Sequence, residues 1–182
     1  MELNEEAIRA RLKVTPPACF ASMKPLRDEP PAQWAGKNLT VWKLACPCGG
    51  DHGQFLGYPV GKFNPHYDGP EYLSPFAFRC AKCGTVHEVM DTNRHGYHAY
   101  ICDSPSHITG EGEKSVYACA KCHGTDLAVK VCLFHWDDII EMIEEEPEEF
   151  ADKAENMFIE FHAFGHCQAC GHEEKVAEYN KL

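Results

Sequence analysis

The sequence predicts a mainly β protein, a small α+β fold, and three features of its 182 residues support that prediction. Short segments rich in Val, Phe, Tyr and Leu alternate with Gly, Pro and Asn, as strands alternate with turns. A hydrophobic content of 44% is sufficient for a packed core. Eight of the eleven cysteines fall into four close pairs, which divide the strand-rich region into two similar halves.

Residues 1–36 are predicted to form one helix and a proline-rich arm. Residues 3–14 fit an amphipathic helix with Asn4 as its N-cap. Five prolines between Pro16 and Pro31 predict an extended arm without regular structure. No secretory signal and no apolar run of membrane-spanning length is visible, so a cytoplasmic location is expected, where thiols stay reduced.

Two series of predicted strands follow the arm. Residues 37–103 form the first predicted domain, residues 104–115 a linker, and residues 116–182 the second domain. The predicted strands are Leu39–Ala45, Gln54–Val60, Tyr72–Arg79 and Val86–Asp91 in the first domain, and Val116–Ala118, Leu127–Trp136, Met157–Phe164 and Glu173–Tyr179 in the second.

Residues 137–156 interrupt the second series with helical periodicity and a concentration of negative charge. Pro147 is predicted to split the segment into two helices. Between Asp137 and Glu155 there are ten acidic residues and one base, whereas the whole chain carries a formal charge of −11. The simplest interpretation is a solvated helical face, and the sharper hypothesis is a docking surface for a basic partner.

The two halves resemble one another. FAFRCAKCGTVHEVMD (residues 76–91) aligns with HAFGHCQACGHEEKVAEY (residues 162–179), in which an aromatic strand precedes a cysteine pair and a polar strand follows it. The pairs that begin with Cys46 and Cys119 open the two units. An internal duplication explains this arrangement.

The cysteine pairs predict two metal sites. Zinc takes four ligands in a tetrahedron, and a Cys-x-x-Cys turn supplies two of them from one side. We therefore expect two zinc ions. Their predicted ligands are Cys46, Cys48, Cys80 and Cys83 in site 1, and Cys119, Cys122, Cys167 and Cys170 in site 2.

The motifs Cys80-Ala-Lys-Cys83-Gly84 and Cys167-Gln-Ala-Cys170-Gly171, and less cleanly Cys119 with Cys122, resemble the metal knuckles of zinc-ribbon, or rubredoxin-like, proteins. The resemblance covers about residues 39–91 and 116–179. It implies two tandem zinc ribbons, with the acidic helical segment inserted in the second, and it implies no activity.

The first pair departs from the pattern, because Cys46-Pro-Cys48 is one residue shorter than a usual knuckle. His52 is the alternative ligand if Cys46 or Cys48 does not reach the metal. Iron is an alternative to zinc, since rubredoxin-type iron uses the same four thiolates. Disulfides, redox-active pairs and haem attachment at Cys119-Ala-Lys-Cys122-His123 are weaker alternatives.

The histidines offer one hint of catalysis. Five residues close in the chain give the hypothesis of a third, open metal site, although scattered surface and turn residues are the simpler interpretation: Asp91, His95, His98, Cys102 and His107. Common hydrolase, deaminase and phosphate-loop motifs are absent. The three unpaired cysteines are more simply small buried side chains than nucleophiles: Cys19, Cys102 and Cys132.

Three functional hypotheses remain. The first is a non-enzymatic interaction module whose acidic surface binds a basic protein, in an inhibitor, adaptor or immunity-type role. The second is a metalloenzyme that uses the Asp91–His107 residues. The third is a nucleic-acid-binding ribbon, which ranks last because the bases are scattered along an acidic chain.

Overall fold

The computed structural model describes residues 5–34, 37–66, 71–96, 99, 109–135 and 139–180. Within these residues the fold is mainly β with short helices, as predicted. No helix of the described chain is long and apolar enough to cross a membrane. The elements are α1 (Glu5–Val14), β1 (Leu26–Asp28), β2 (Leu39–Lys43), β3 (Gly53–Pro59), β4 (Tyr72–Cys80), β5 (Val86–Met90), β6 (Ser115–Val116), β7 (Leu127–His135), α2 (Ile139–Glu145), α3 (Pro147–Phe150), β8 (Phe158–Cys167) and β9 (Glu173–Asn180).

The described strands belong to one sheet in the order β1-β2-β7-β8-β9-β4-β3-β6, with β5 paired to β4. An antiparallel pairing of β3 with β7, at Gly53 and Leu127, makes the path β7-β8-β9-β4-β3 return on itself. The contact between β9 and β4 is parallel and pairs Ala177 with Tyr72. Strands from both halves of the chain therefore enclose the same interior.

The two halves exchange their opening strands. Strand β2 precedes the first knuckle, Cys46 and Cys48, but pairs with β7 of the second half. Strand β6 precedes the third knuckle, Cys119 and Cys122, but pairs with β3 of the first half. The same bond recurs in both exchanges: Leu44 N–H donates to Val129 O at 2.9 Å, and Tyr117 N–H donates to Phe55 O at 2.8 Å. Each donor lies two residues before the first cysteine of its knuckle. The exchange is therefore reciprocal, since each unit contributes its opening strand to a strand of the other unit.

The N-terminal arm is more regular than its prolines indicate. β1 pairs with β2 in antiparallel register, with Leu26 opposite Lys43 and Asp28 opposite Val41. Pro25 and Pro30 flank this strand and do not interrupt it, so a three-residue edge strand fits between them. The prediction of an arm without regular structure was therefore wrong for residues 26–28.

The main core contains aromatic side chains from both halves. The rings of Phe76 and Phe161 are stacked, with centroids 5.5 Å apart, and the Phe55 ring centroid also lies 5.5 Å from that of Phe76. All three side chains are fully buried. The core thus joins the two units, so their unfolding is expected to be cooperative.

The acidic segment packs against α1 at the edge of this core. Its helices α2 and α3 are separated at Glu146, and Pro147 occupies the start of α3, as predicted. Ile8 and Leu12 of α1 form a second buried cluster with apolar residues of the segment: Ile140, Ile143, Phe150, Ala151, Ala154 and Met157. The segment therefore has a buried apolar side and a charged exposed side.

Candidate metal centres

The eight predicted cysteines converge in two groups of four, with the predicted pairing of knuckles. In site 1, Cys46 Sγ lies 3.5 Å from Cys83 Sγ, and Cys48 Sγ lies 3.6 Å from Cys80 Sγ. The corresponding separations in site 2 are 3.7 and 3.5 Å. A disulfide needs about 2.05 Å between sulfurs. A tetrahedral zinc site with bonds of about 2.3 Å needs roughly 3.8 Å between sulfurs, so both groups fit a four-thiolate metal ion.

Backbone hydrogen bonds shape the four knuckles in matching pairs. Gly84 N–H donates to Cys80 O at 2.9 Å, and Gly171 N–H donates to Cys167 O at 2.8 Å. Both glycines have left-handed φ angles, 74° and 70°, which permit the turn at low cost. His123 has φ 61° at the corresponding place after Cys122, where the first knuckle has a glycine.

Cys46 completes site 1 although its knuckle is short. Cys46 N–H donates to Gly50 O at 2.8 Å, and Cys119 N–H donates to Gly124 O at 2.9 Å. The first cysteine of each site is therefore held by the same kind of backbone hydrogen bond. His52, the alternative ligand, does not join the group. The structure favours Cys46 over His52 as the fourth ligand.

His52 lies instead in an ion-pair geometry that links the two units. Its Nδ1 is 2.8 Å from Asp126 Oδ1. Both residues lie four positions after the second cysteine of their knuckles, and each precedes the Gly53–Leu127 pair that joins β3 to β7. This contact connects the bases of the two metal sites.

The thiols of the two sites differ in how readily they ionise at neutral pH. Hydrogen bonds from the Thr85 hydroxyl and backbone lower the pKa of Cys83 to about 6. Burial opposes ionisation of Cys167, but backbone N–H groups of Cys170 and Ala169 donate to its sulfur, and its pKa falls to about 7. Although the Cys48 backbone favours the Cys46 thiolate, burial and three neighbouring sulfurs raise the pKa of Cys46 to about 12. Metal entry must therefore displace protons, and affinity is expected to rise with pH.

His87 adds a buried contact outside the four ligands of site 1. Its Nε2 lies 3.2 Å from Cys46 Sγ, and the ring is 5% exposed. The corresponding residue of the second unit is Glu174, whose Oε1 accepts the Ala120 N–H at 2.9 Å. Sequence reasoning missed both residues, although each lies four positions after the last cysteine of its unit.

We expect His87→Phe to weaken zinc binding at site 1 by about tenfold. An imidazole N–H stabilises a thiolate ligand, and outer-shell partners of this kind contribute about 10- to 100-fold to metal affinity. Phenylalanine removes the donor and keeps a ring in the buried position. Competition with a chromophoric chelator would measure the two sites, with the unchanged site 2 as internal control. Equal affinities in wild type and variant would contradict a role for His87.

The residues predicted for a third metal site are only partly within the described structure. His95 Nδ1 accepts the Asp91 backbone N–H at 3.0 Å, and burial lowers the pKa of His95. This nitrogen closes a local turn. His98, Cys102 and His107 lie outside the described residues. Among the residues that are described, the two four-cysteine groups are the sets with metal-binding spacing.

The remaining cysteines of the described chain are small core side chains. Cys19 is 5% exposed and Cys132 is 1% exposed. Burial raises the pKa of Cys19 and raises that of Cys132 to about 12, so neither thiol is activated as a nucleophile. Cys102 lies outside the described residues.

Haem attachment at Cys119 and Cys122 does not fit the geometry. Cys119 Sγ faces Cys170 Sγ, and Cys122 Sγ faces Cys167 Sγ, at the distances given above for site 2. The same two thiols cannot form covalent links to haem and complete the four-sulfur group. Site 2 is thus best described as a closed, four-thiolate site.

No protein-family model matches this sequence, and neither a curated protein nor a solved structure matches it.

Proposed function

We propose that the protein is a zinc-stabilised, non-enzymatic interaction module whose acidic segment binds a basic protein partner. Two closed four-sulfur sites leave no ligand position open for substrate, which suits structural ions better than catalytic ones. Zinc is proposed over iron, and an inhibitor, adaptor or immunity-type role would suit a small acidic binder.

The observation that supports an interaction role is the exposed side of the acidic segment. Seven of its carboxylates are solvent-exposed, and no residue of the described chain forms an ion pair with them: Glu141, Glu144, Glu145, Glu146, Glu148, Glu149 and Asp152. Glu155 differs, because it pairs with Arg11 at 3.1 Å. Neutralisation by a basic partner would relieve the repulsion among these carboxylates and would speed association.

The buried side of the segment supports the same proposal. Its apolar residues are fixed against Ile8 and Leu12 of α1, and Ile143 and Ala154 are fully buried. The exposed carboxylates therefore belong to helices that are already packed against α1. A partner would not have to order the whole segment on binding, so the entropic cost of binding is lower.

We expect simultaneous reversal of Glu144, Glu145, Glu148 and Glu149 to Lys to weaken partner binding by at least about tenfold, or about 1.4 kcal/mol. The wild type, immobilised in its zinc-loaded form, should retain a basic protein at low salt and release it at high salt. Mass spectrometry would identify the protein, and its affinity for each variant would be measured by titration.

A matched variant reverses four exposed acids elsewhere, with the same change of net charge: Glu6, Glu111, Glu113 and Glu173 to Lys. It should bind as the wild type does, because its substitutions lie outside the acidic segment. Binding that survives the first reversal, or that is lost equally in both variants, would reject the segment as the docking surface.

A further inference from the structure

A cleft of about 800 Å³ lies between α1, the β1 segment and the start of β2. Among the residues that the structure describes, its charged lining consists of four bases and one acid: Arg9, Lys13, Arg27, Lys37 and Glu29. This local excess of three positive charges lies in a chain whose formal charge is −11. The bases are scattered in the sequence, and the fold gathers them.

Separate elements hold the cations in place. Arg9 and Lys13 are four residues apart on α1 and therefore share one side of the helix. Arg27 Nη1 donates to Val41 O at 2.7 Å, and its guanidinium carbon lies 5.4 Å from the Trp42 ring centroid. Lys37 lies just before β2. The positive lining thus comes from three parts of the chain.

Nearby acids are engaged by other bases. Asp28 lies 3.0 Å from Lys130 and 3.6 Å from Lys43, and Glu155 pairs with Arg11. Within the described residues, Lys13 and Lys37 are exposed and form no ion pair. Among the lining residues that the structure describes, Glu29 is the one acid, against four bases.

The remaining lining is suited to a ligand with a non-ionic part. Leu12, Pro30 and Leu39 supply apolar surface, and Asn38 contributes a buried amide nitrogen that has no acceptor among the described residues. The volume lies within the roughly 300–1,000 Å³ of sites for small ligands and cofactors.

From this juxtaposition of cations, a side-chain amide and apolar walls, we infer that the cleft binds a phosphorylated small molecule of nucleotide size. Lysine and arginine are the usual partners of phosphate oxygens. A long nucleic-acid strand fits less well, because the chain as a whole carries a formal charge of −11. This inference does not depend on the acidic-segment proposal.

The test is calorimetric titration of the zinc-loaded full chain at low salt with ADP and, separately, with inorganic pyrophosphate. We expect ADP to bind more tightly than pyrophosphate because only ADP reaches the apolar walls. Lys13→Glu combined with Lys37→Glu should weaken the binding of both ligands by at least about tenfold, since each reversal removes a charge-assisted contact and adds a repulsive charge. Lys24→Glu, at an exposed lysine outside the cleft, should change neither affinity.

Zinc content and circular dichroism would verify that the variants are folded. Absence of ADP binding by the wild type would overturn the inference, as would equal weakening by Lys24→Glu. Equal affinities for ADP and pyrophosphate would overturn the assignment of an apolar ligand part. Tighter binding of a single-stranded oligonucleotide than of ADP would point to nucleic acid instead.

Discussion

Replacing Cys80 with serine is expected to reduce the zinc content from two ions to one per chain and to destabilise the protein severely. Cys80 is 1% exposed, and its sulfur lies 3.6 Å from Cys48 Sγ. A serine hydroxyl is a poor substitute for a thiolate, which is the form that binds zinc. Site 1 would then retain three ligands and would lose most of its affinity.

The loss of stability extends beyond the cysteine turn itself, because site 1 connects segments that are distant in the sequence. Its ligands lie between β2 and β3 and at the junction of β4 with β5. Structural zinc in small peptides contributes about 10–16 kcal/mol of binding free energy, and loss of a metal is among the few changes that cost more than about 4 kcal/mol. We therefore expect the unfolding midpoint to fall by about 10 °C or more.

Elemental analysis and thermal unfolding would measure the two effects. Cys132→Ser is the matched control, because Cys132 is equally buried on a strand but belongs to neither four-sulfur group. It should lose some stability through burial of a hydroxyl and should keep both zinc ions. Two zinc ions in the Cys80→Ser variant would show that the four sulfurs do not form a metal site.

The local features of this fold could be predicted from the sequence. Ligands such as Cys80 and Cys83 are close in the chain, and a glycine follows them, so the turn that presents both sulfurs is encoded within five residues. The strands on either side were predicted to within a few residues for the same reason. Pro147 likewise marked the division between α2 and α3, since proline is favoured at the first helical position.

Features that depend on distant segments could not be predicted in this way. Strand β2 has no sequence signal that selects β7 over its own neighbour β3, and the exchange follows from packing one interior with both units. The three residues of β1 lie between prolines and show no strand pattern in the sequence. Their extended conformation follows from pairing with residues 41–43 of β2. The basic cleft is similarly invisible, because Arg9 and Lys37 meet only after α1 has docked.

The matching hydrogen bonds of Cys46 to Gly50 and of Cys119 to Gly124 allow the shortened first cysteine pair to be compared with the longer one. Gly50→Ala is the second substitution with a large expected effect. A Cβ at residue 50 would lie 2.6 Å from Cys80 Sγ and 3.1 Å from Lys82 Cβ. The first distance is far below van der Waals contact, and the obstacle is a metal ligand that cannot move without distorting the tetrahedron. Site 1 would have to open to accept the methyl group.

Gly124→Ala is the matched control, because Gly124 occupies the corresponding place in site 2. Its added Cβ would lie 3.2 Å from Cys167 Sγ and 3.3 Å from Cys122 Sγ, so shifts of a few tenths of an ångström would relieve the contact. We expect Gly50→Ala to weaken zinc binding at site 1 by about 100-fold, or about 2.7 kcal/mol, and Gly124→Ala to weaken site 2 by less than tenfold.

Native mass spectrometry during chelator titration would count the ions that each variant retains. If both substitutions weaken their sites equally, the missing residue in Cys46-Pro-Cys48 has no structural consequence and the expectation is wrong. If only Gly50→Ala empties its site, the cause lies in the shorter turn, which brings residue 50 against the sulfur of the opposite knuckle. A knuckle of this length then requires glycine at position 50, whereas the longer one tolerates a methyl group at position 124.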